Sequence, residues 1–342
     1  MLELSKYTKE LTKLFVTSDN ILLICHLNPD GDAVGAQLAL YQYLKAQGKN
    51  VNMFTPNYLQ EFLKWMEGVN LINVFIRDRD RCRELIEKAD LIVMLDFNQP
   101  GRLGEAEKLV AVSDAKKVII DHHLNPENFA DLVVSDPSVC STSELLYEII
   151  TDINGGPFLN KSYAEALYIG IITDTGNFEH GNYSGRTFRI VADLLETGIE
   201  KEKILNLIYN NFSADRMRLQ GYALCKKMVI LPEYHTAYIS LTRDERASYQ
   251  YVKGDTEGFV NMPLSINGII LSALFIEKEG FVKLSFRSKG QFPANLIASE
   301  FFYGGGHLNA SGGDYPDTLD NTIEYFLKVL KENFARYNKN NQ

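Results

Sequence analysis

Apolar residues along the chain follow two rhythms. Between residues 21 and 135 they gather in short runs of strand length: "ILLIC" (21–25), "VNMF" (51–54), "LIVML" (91–95), "KVII" (117–120) and "LVVS" (132–135). Between these runs apolar residues recur at helical spacing, in "AVGAQLALYQYLKAQG", closed by Gly48, in "EFLKWMEG" and in "DRDRCRELIEKA". Near-continuous apolar strands alternating with helices predict a mostly parallel sheet with helices on both faces. "STSELLYEIITDI" opens as a capped helix, Ser141 being followed three residues later by Glu144.

From Ser162 the pattern is helical, in "SYAEALYIGIIT", "SGRTFRIVADLLETG" and "KEKILNLIYNNF". Beyond Ser213 longer alternating strands take over, in "HTAYISLT" and in "GIILSALFIEKEGFVKLSFRS", where "EKEG" suits a hairpin turn. A helix ("PANLIASEFF"), a glycine cluster ("GGGHLNASGG") and a last helix ("LDNTIEYFLKVLKENFARY") follow. The fold class expected is α/β. An N-terminal domain over 1–190 carries a mostly parallel sheet flanked by helices, 191–212 is a helical linker, and 213–342 is a smaller α+β domain, with a cleft between the two domains.

Composition narrows the function. A chain of 342 residues exceeds what one hydrophobic core usually spans. With 45% hydrophobic and 23% charged residues it has the balance of a globular protein. A net charge of −9 argues against a long basic groove for polymeric nucleic acid. Small anionic substrates remain compatible, because metal ions can supply local positive charge. Cys25, Cys82, Cys140 and Cys225 are scattered without a Cys-x-x-Cys pair, which suits reduced thiols in a cytoplasmic protein. The start, "MLELSKYTKELTKLF", lacks the apolar core of a signal peptide, and no apolar run reaches membrane-span length, so no membrane association is expected.

The chemistry collects at strand ends. "CHLNPDGDAVG" sets His26, Asp30 and Asp32 in the loop after the first strand, where ligands bind in open α/β sheets. Asp96 ends "LIVML", and Asp121, His122 and His123 end "KVII". Asp174 follows an apolar helix in "GIITDTGNF". Taken singly, the "CHLNPDGDAVG" loop, Asp96 and Asp174 also read as caps or turns, and one of His122 and His123 as a core histidine. Together, His26, Asp30, Asp32, Asp96, His122 and Asp174 would repel or desolvate one another unless divalent cations resolved the cost. Imidazole and carboxylate ligands without cysteine suit Mn²⁺, with Mg²⁺, Co²⁺ or Fe²⁺ as alternatives. So many carboxylates favour two ions, an arrangement suited to in-line displacement at phosphorus.

In the C-terminal part the glycines of "GGGHLNASGG" expose backbone N–H groups that can cradle a phosphate, with His307 and Ser311 beside them. "SFRS" puts Arg287, followed by Ser288, at a strand end, where a guanidinium can grip a phosphate with two hydrogen bonds. The letters "HLNP" occur at 26–29 and again at 123–126. With unlike flanks, the echo reads as a coincidence of lettering, its second copy a plain turn.

"HLNPDGDAVG", "LDFN", "DHH" and "TDTGNF", in this order, resemble the four motifs of the DHH phosphoesterases, and "GGGHLNASGG" after "SFRS" resembles the substrate domain associated with them. The resemblance covers nearly the whole chain. A chain of this length is similar to the nanoRNase/pAp phosphatase group, Mn²⁺-dependent enzymes that degrade RNA oligomers of a few nucleotides and dephosphorylate adenosine 3′,5′-bisphosphate (pAp). The resemblance implies that His26, Asp30 and Asp96 hold one ion. It implies that Asp32, Asp96, His122 and Asp174 hold the other, with Asp96 bridging. Asp121 would fix a neighbouring imidazole, and His123 would face the scissile phosphate. Arg287, Ser288, Gly304, Gly305, Gly306, His307 and Ser311 would hold the substrate. The substrates implied are short RNA, pAp or dinucleotides, not long nucleic acid, and a homodimer stays open. Phe178 is a candidate to stack on a base. Glu179 and His180 stand where the family pattern leads one to expect a basic or aromatic pair. The rival readings are a cyclic- or linear-dinucleotide phosphodiesterase, an inorganic pyrophosphatase, a long-strand exonuclease and a non-catalytic nucleotide sensor.

Overall fold

A computed structural model describes residues 4–179 and 181–338. The chain divides into two units, Met1–Asn211 and Phe212–Gln342, each built on one six-stranded sheet.

The first sheet comprises β1 (Asn20–Cys25), β2 (Asn50–Thr55), β3 (Ile72–Val74), β4 (Leu91–Leu95), β5 (Lys116–Asp121) and β6 (Leu132–Ser135). Its order is β3-β2-β1-β4-β5-β6 and every pairing is parallel. The helices of this unit are α1 (Ser5–Thr17), α2 (Gly31–Ala46), α3 (Arg79–Lys88), α4 (Glu107–Ala111), α5 (Thr142–Asn154), α6 (Lys161–Asp174), α7 (Gly185–Glu196) and α8 (Lys201–Tyr209). Strand side chains alternate between faces. Leu23, Val93 and Val118 therefore pack into one core with α2, α5 and α6, while Leu22, Ile92 and Ile119 pack into a second with α3. Burial on both faces is why these strands read as unbroken apolar runs.

Between β1 and β4 the order of strands reverses. Such a switch point opens a crevice at the carboxyl ends of the strands, and His26 and Asp96 stand on its two sides.

Three readings of the first unit are corrected. "EFLKWMEG" forms only a three-residue 3₁₀ turn, Glu61–Leu63, followed by a left-handed Gly68; so short a segment gains little from helix propagation. β3 has three residues, too few to show an alternation. The segment 191–212 is no linker: Val191, Leu194, Ile204 and Ile208 on α7 and α8 are buried in the first core. The two "HLNP" copies share one backbone feature: Asn28 and Asn125 both adopt left-handed backbone, with φ of 56° and 57°.

The second unit comprises α9 (Ala214–Tyr222), β7 (Met228–Leu231), β8 (Thr236–Leu241), α10 (Arg243–Ala247), β9 (Leu271–Glu277), β10 (Val282–Ser288), α11 (Ala294–Phe301), β11 (Gly304–His307), β12 (Ala310–Tyr315) and α12 (Leu319–Tyr337). Its sheet runs β11-β12-β10-β9-β8-β7, antiparallel except for β8 and β9. The hairpin expected at "EKEG" joins β9 to β10, with Glu277 opposite Val282. Val282, Leu284 and Phe286 bury one face in a core shared with residues of α11 and α12. The glycine cluster is a hairpin whose first strand, β11, forms the sheet edge. Among the described residues no helix is long and apolar enough to cross a membrane.

Candidate metal centre

The register of the parallel strands sets the site. Cys25, Leu95 and Ile120 lie level on β1, β4 and β5, so His26, Asp96 and Asp121 come next side by side. Asp96 adopts left-handed backbone, φ 65°, a strained conformation for a residue with a side chain. Its N–H donates to Ile120 O at 3.0 Å, which ties the turn to the neighbouring strand. Asp30 caps α2, one carboxylate oxygen accepting from the backbone N–H groups of Asp32 and Ala33. Its other oxygen is thereby left toward His26, 3.6 Å from Nε2.

Asp96 divides its two oxygens between imidazoles. Oδ2 lies 3.4 Å from His26 Nε2, and Oδ1 lies 3.6 Å from His122 Nε2. His122 Nε2 lies 3.5 Å from Asp174 Oδ2. Potential ligand atoms of His26, Asp30 and Asp96 fall within 4.8 Å of one another, and so do those of Asp32, His122 and Asp174. The structure thus brings all six residues together, in two groups with Asp96 between them.

Two glycines permit this. A Cβ on Gly35 would lie 2.5 Å from Ala166 O and one on Gly170 would meet Ser143 Oγ and Asp32. Bare backbone lets α2 and α6 approach closely, which sets Asp32 near Asp174.

The donor set fits divalent cations. His26 Nδ1 lies 2.8 Å from Leu27 O, which assigns one ring proton there and makes Nε2 the atom that would give up its proton to take a metal ion. That nitrogen is buried without a hydrogen-bond partner. Separations of 3.4–3.6 Å are long for hydrogen bonds. Two ligand atoms each about 2.1 Å from one ion stand roughly 3–3.5 Å apart. The carboxylates of Asp30, Asp32, Asp96 and Asp174 carry as much charge as two divalent ions. Burial disfavours a charged imidazole, yet Asp30 and Asp96 push His26 up to about 10. Burial, with the charges of Asp96 and Asp30, pushes Asp174 up to about 7 against the pull of His122. Burial and the charge of Asp96 also raise Asp32 well above the carboxylate range.

His123 is set apart from His122. Its Nδ1 lies 2.7 Å from Asp121 Oδ1, and its backbone N–H donates to Asp121 Oδ2 at 3.1 Å. Burial opposes protonation of His123, but the hydrogen bond to Asp121 and the charge of Asp96 leave its pKa raised.

In the second unit Arg287, Ala310 and His307 are directly paired across β10, β12 and β11, so their side chains share one face. Ser285, Gly312 and Gly305 form the adjacent row, where two glycines leave the sheet nearly bare. Ser288 and Ser311 belong to the other face, that of Phe286, and both are buried. The Ser288 hydroxyl donates to Phe292 O at 2.6 Å and accepts from Asn309 Nδ2 at 2.9 Å. Gly304 and Gly306 are held in the β11–β12 pairing opposite Gly313 and Ser311. Phe178 lies in a left-handed run with Gly176 and Asn177, its ring 4.9 Å from that of Phe188 and 6.1 Å from that of Tyr183. His180 lies outside the described residues.

The pattern of residues gave no sign that the first turn of α5 belongs to the site. The backbone N–H groups of Thr142 and Ser143 donate to the two oxygens of Asp32 at 2.6 and 2.9 Å. The capping box at Ser141 marked the helix start but not where it points.

A parallel sheet that gathers histidines and aspartates at its switch point, followed by a unit with a glycine hairpin, defines a metal-dependent phosphoesterase architecture. The chain belongs to the DHH family: residues 20–171 match the DHH family N-terminal domain and residues 235–336 the DHHA1 domain. It is 40% identical to an exopolyphosphatase-related protein from Bacteroides fragilis, whose crystal structure superposes with a TM-score of 0.94 over 98% of both chains. It is 27% identical to the bifunctional oligoribonuclease and PAP phosphatase NrnA of Bacillus subtilis, over 89% of this chain and 91% of that protein. Thermus thermophilus RecJ, crystallised in complex with Mn²⁺, shares the fold at 16% identity, with a TM-score of 0.57 over 98% of this chain and 55% of RecJ.

Proposed function

We propose that this protein is a Mn²⁺-dependent phosphohydrolase that degrades short oligoribonucleotides to mononucleotides and converts pAp to AMP. The observation that carries the reading is Asp96, one carboxylate shared between two ligand groups. The similarity to an oligoribonuclease and PAP phosphatase along nearly the full length of both chains supports the substrate class.

His26, Asp30 and Asp96 would hold one ion, and Asp32, Asp96, His122 and Asp174 the other. When bound, the pair lowers the pKa of a water and neutralises charge at phosphorus. The chain itself supplies the rest. Asp121 orients His123 and favours its protonated form, so that the ring can stabilise a phosphate oxygen as charge builds there. Arg287 and His307 offer hydrogen-bond donors on a sheet face that Gly305 and Gly312 keep open, a surface on which a phosphate and its sugar can lie flat. The net charge of −9, which argues against a long basic groove, supports short substrates over polymeric nucleic acid.

The test is one Mn²⁺ panel of di- to pentaribonucleotides, pAp, inorganic pyrophosphate, inorganic polyphosphate, cyclic dinucleotides and a long single strand. Turnover of the short ribonucleotides and pAp is expected. Activity confined to cyclic dinucleotides, to polyphosphate or to pyrophosphate would replace this reading.

A further inference from the structure

We propose that Thr142 is a positioning residue that makes Asp96 a bridge, by fixing which lone pair of Asp96 Oδ1 is left for a metal ion. The inference rests on the paired-metal reading above and adds a residue to it. Thr142 is fully buried and its hydroxyl donates to Asp96 Oδ1 at 2.9 Å. This is the oxygen that faces His122, whereas Oδ2 faces His26. A carboxylate oxygen offers two lone-pair directions. With one taken by Thr142, Oδ1 keeps a single direction for the ion on the His122 side, and the carboxylate cannot rotate to give both oxygens to the His26 side.

The same turn of helix acts on Asp32. The Thr142 and Ser143 N–H groups hold both its oxygens, so two carboxylates of the His122 group are aligned by one rigid element. That element is itself fixed. Ser141 Oγ accepts from Glu144 N at 3.0 Å, and the Glu144 carboxylate accepts from Cys140 N at 2.9 Å and from Thr187 Oγ1 at 2.9 Å. Among the described residues only Asp96 and Asp32 receive these bonds; Asp30 is held by α2 instead. The support is therefore unequal, and its loss falls on the second ion.

Thr142→Val keeps the shape and removes the donor. Binding of Mn²⁺ to metal-free protein by calorimetry should show two ions in the wild type. In Thr142→Val the first should bind as in the wild type and the second about 10- to 100-fold more weakly, the scale of effect of partners behind a ligand. The EPR signature of an exchange-coupled Mn²⁺ pair should be lost at one equivalent of added metal above the first. Thr142→Ser, which restores the hydroxyl, should recover both readouts. Metal-free melting temperatures identify a variant that fails to fold, in which case Thr142→Ala is measured in the same way. Two wild-type affinities and a wild-type coupled signal in a folded variant without the hydroxyl would overturn the role of Thr142 alone. A wild type that binds one ion would overturn the paired-metal reading and this inference with it.

Discussion

His123 is clamped to Asp121 at two points: its ring Nδ1 lies 2.7 Å from Oδ1, and its backbone N–H donates to Oδ2 at 3.1 Å. Asp121 is itself fully buried, so its carboxylate has little to gain elsewhere. The pair fixes the ring's orientation and holds a proton on it.

That proton gives a pH dependence. The pKa of His123 is raised, so its protonated form persists above the ordinary histidine range and is lost as pH rises through the folded value. Activity should fall along this alkaline limb. Asp121→Asn removes the carboxylate charge and should move the limb of the kcat profile to lower pH. His123→Gln should lower kcat by about 10²–10³-fold, the scale of one lost donor to developing charge. An unmoved limb in Asp121→Asn would contradict the pairing as its source.

Metal removal should show in stability. In metal-free protein Asp174 is pushed up to about 7. A carboxyl raised above its unfolded value contributes stability below the ordinary carboxylate range and loses it as pH rises through about 7. Melting temperature in EDTA should therefore decline from pH 4 toward about pH 7, as far as this group sets it. Mn²⁺ at about a hundredfold over its Kd should add about 2.7 kcal/mol, and its affinity should weaken below neutrality as Asp174 takes a proton. Calorimetric melts with and without Mn²⁺ across this range check both.

Asp96→Ala should leave the sheet folded and abolish Mn²⁺-dependent hydrolysis, losing more than about a thousandfold in turnover as both ion groups lose their shared ligand. Near-normal turnover at controlled Mn²⁺ would remove Asp96 from the centre.

On the second unit, Arg287→Ala and His307→Ala should raise KM for pAp by about 10-fold or more with a smaller change in kcat, since each would remove a substrate contact far more than a reacting group. Gly305 has nothing within 4 Å of where a Cβ would stand. Gly305→Val should therefore fold and yet raise KM, by covering the face that Arg287 and His307 share. An unchanged KM for Gly305→Val would show that substrate does not lie on that face.

Gly170→Ala tests the helix approach. Its Cβ would meet Ser143 Oγ and Asp32, and overpacking of this kind costs about 1–3 kcal/mol. A lower melting temperature and weaker Mn²⁺ binding are expected together. Loss of stability with unchanged metal affinity would separate the packing from the site.

The β/α alternation and the strand ends were legible because buried parallel strands are apolar throughout, so a histidine or aspartate closing such a run stands out. His26, Asp96 and His122 were visible in this way. Which oxygen of Asp96 faces which imidazole was not, because that depends on strand order and on a left-handed turn that no single residue type announces. Thr142 was hidden for a related reason: its partner lies far along the chain, and a threonine after a helix cap looks like any other. Val191 and Ile204 show the opposite failure, since amphipathic helices packed on a domain and helices joining two domains share one periodicity. The serines beside Arg287 and Gly312 were legible as polar residues near a glycine hairpin, but only the register shows that Ser288 and Ser311 turn to the helix-covered side.

The ligand groups of the first unit come from β1, α2, β4, β5 and α6, so occupying the site joins chain segments drawn from most of the fold. Two ions held there would act as cross-links closing long loops, which would lower the entropy of any partly opened state that keeps them. Opening one strand end surrenders ligands to the ions on its neighbours. Loss of metal and separation of the sheet would thereby be coupled, and the lifetime of the folded unit would be tied to the rate at which its ions leave.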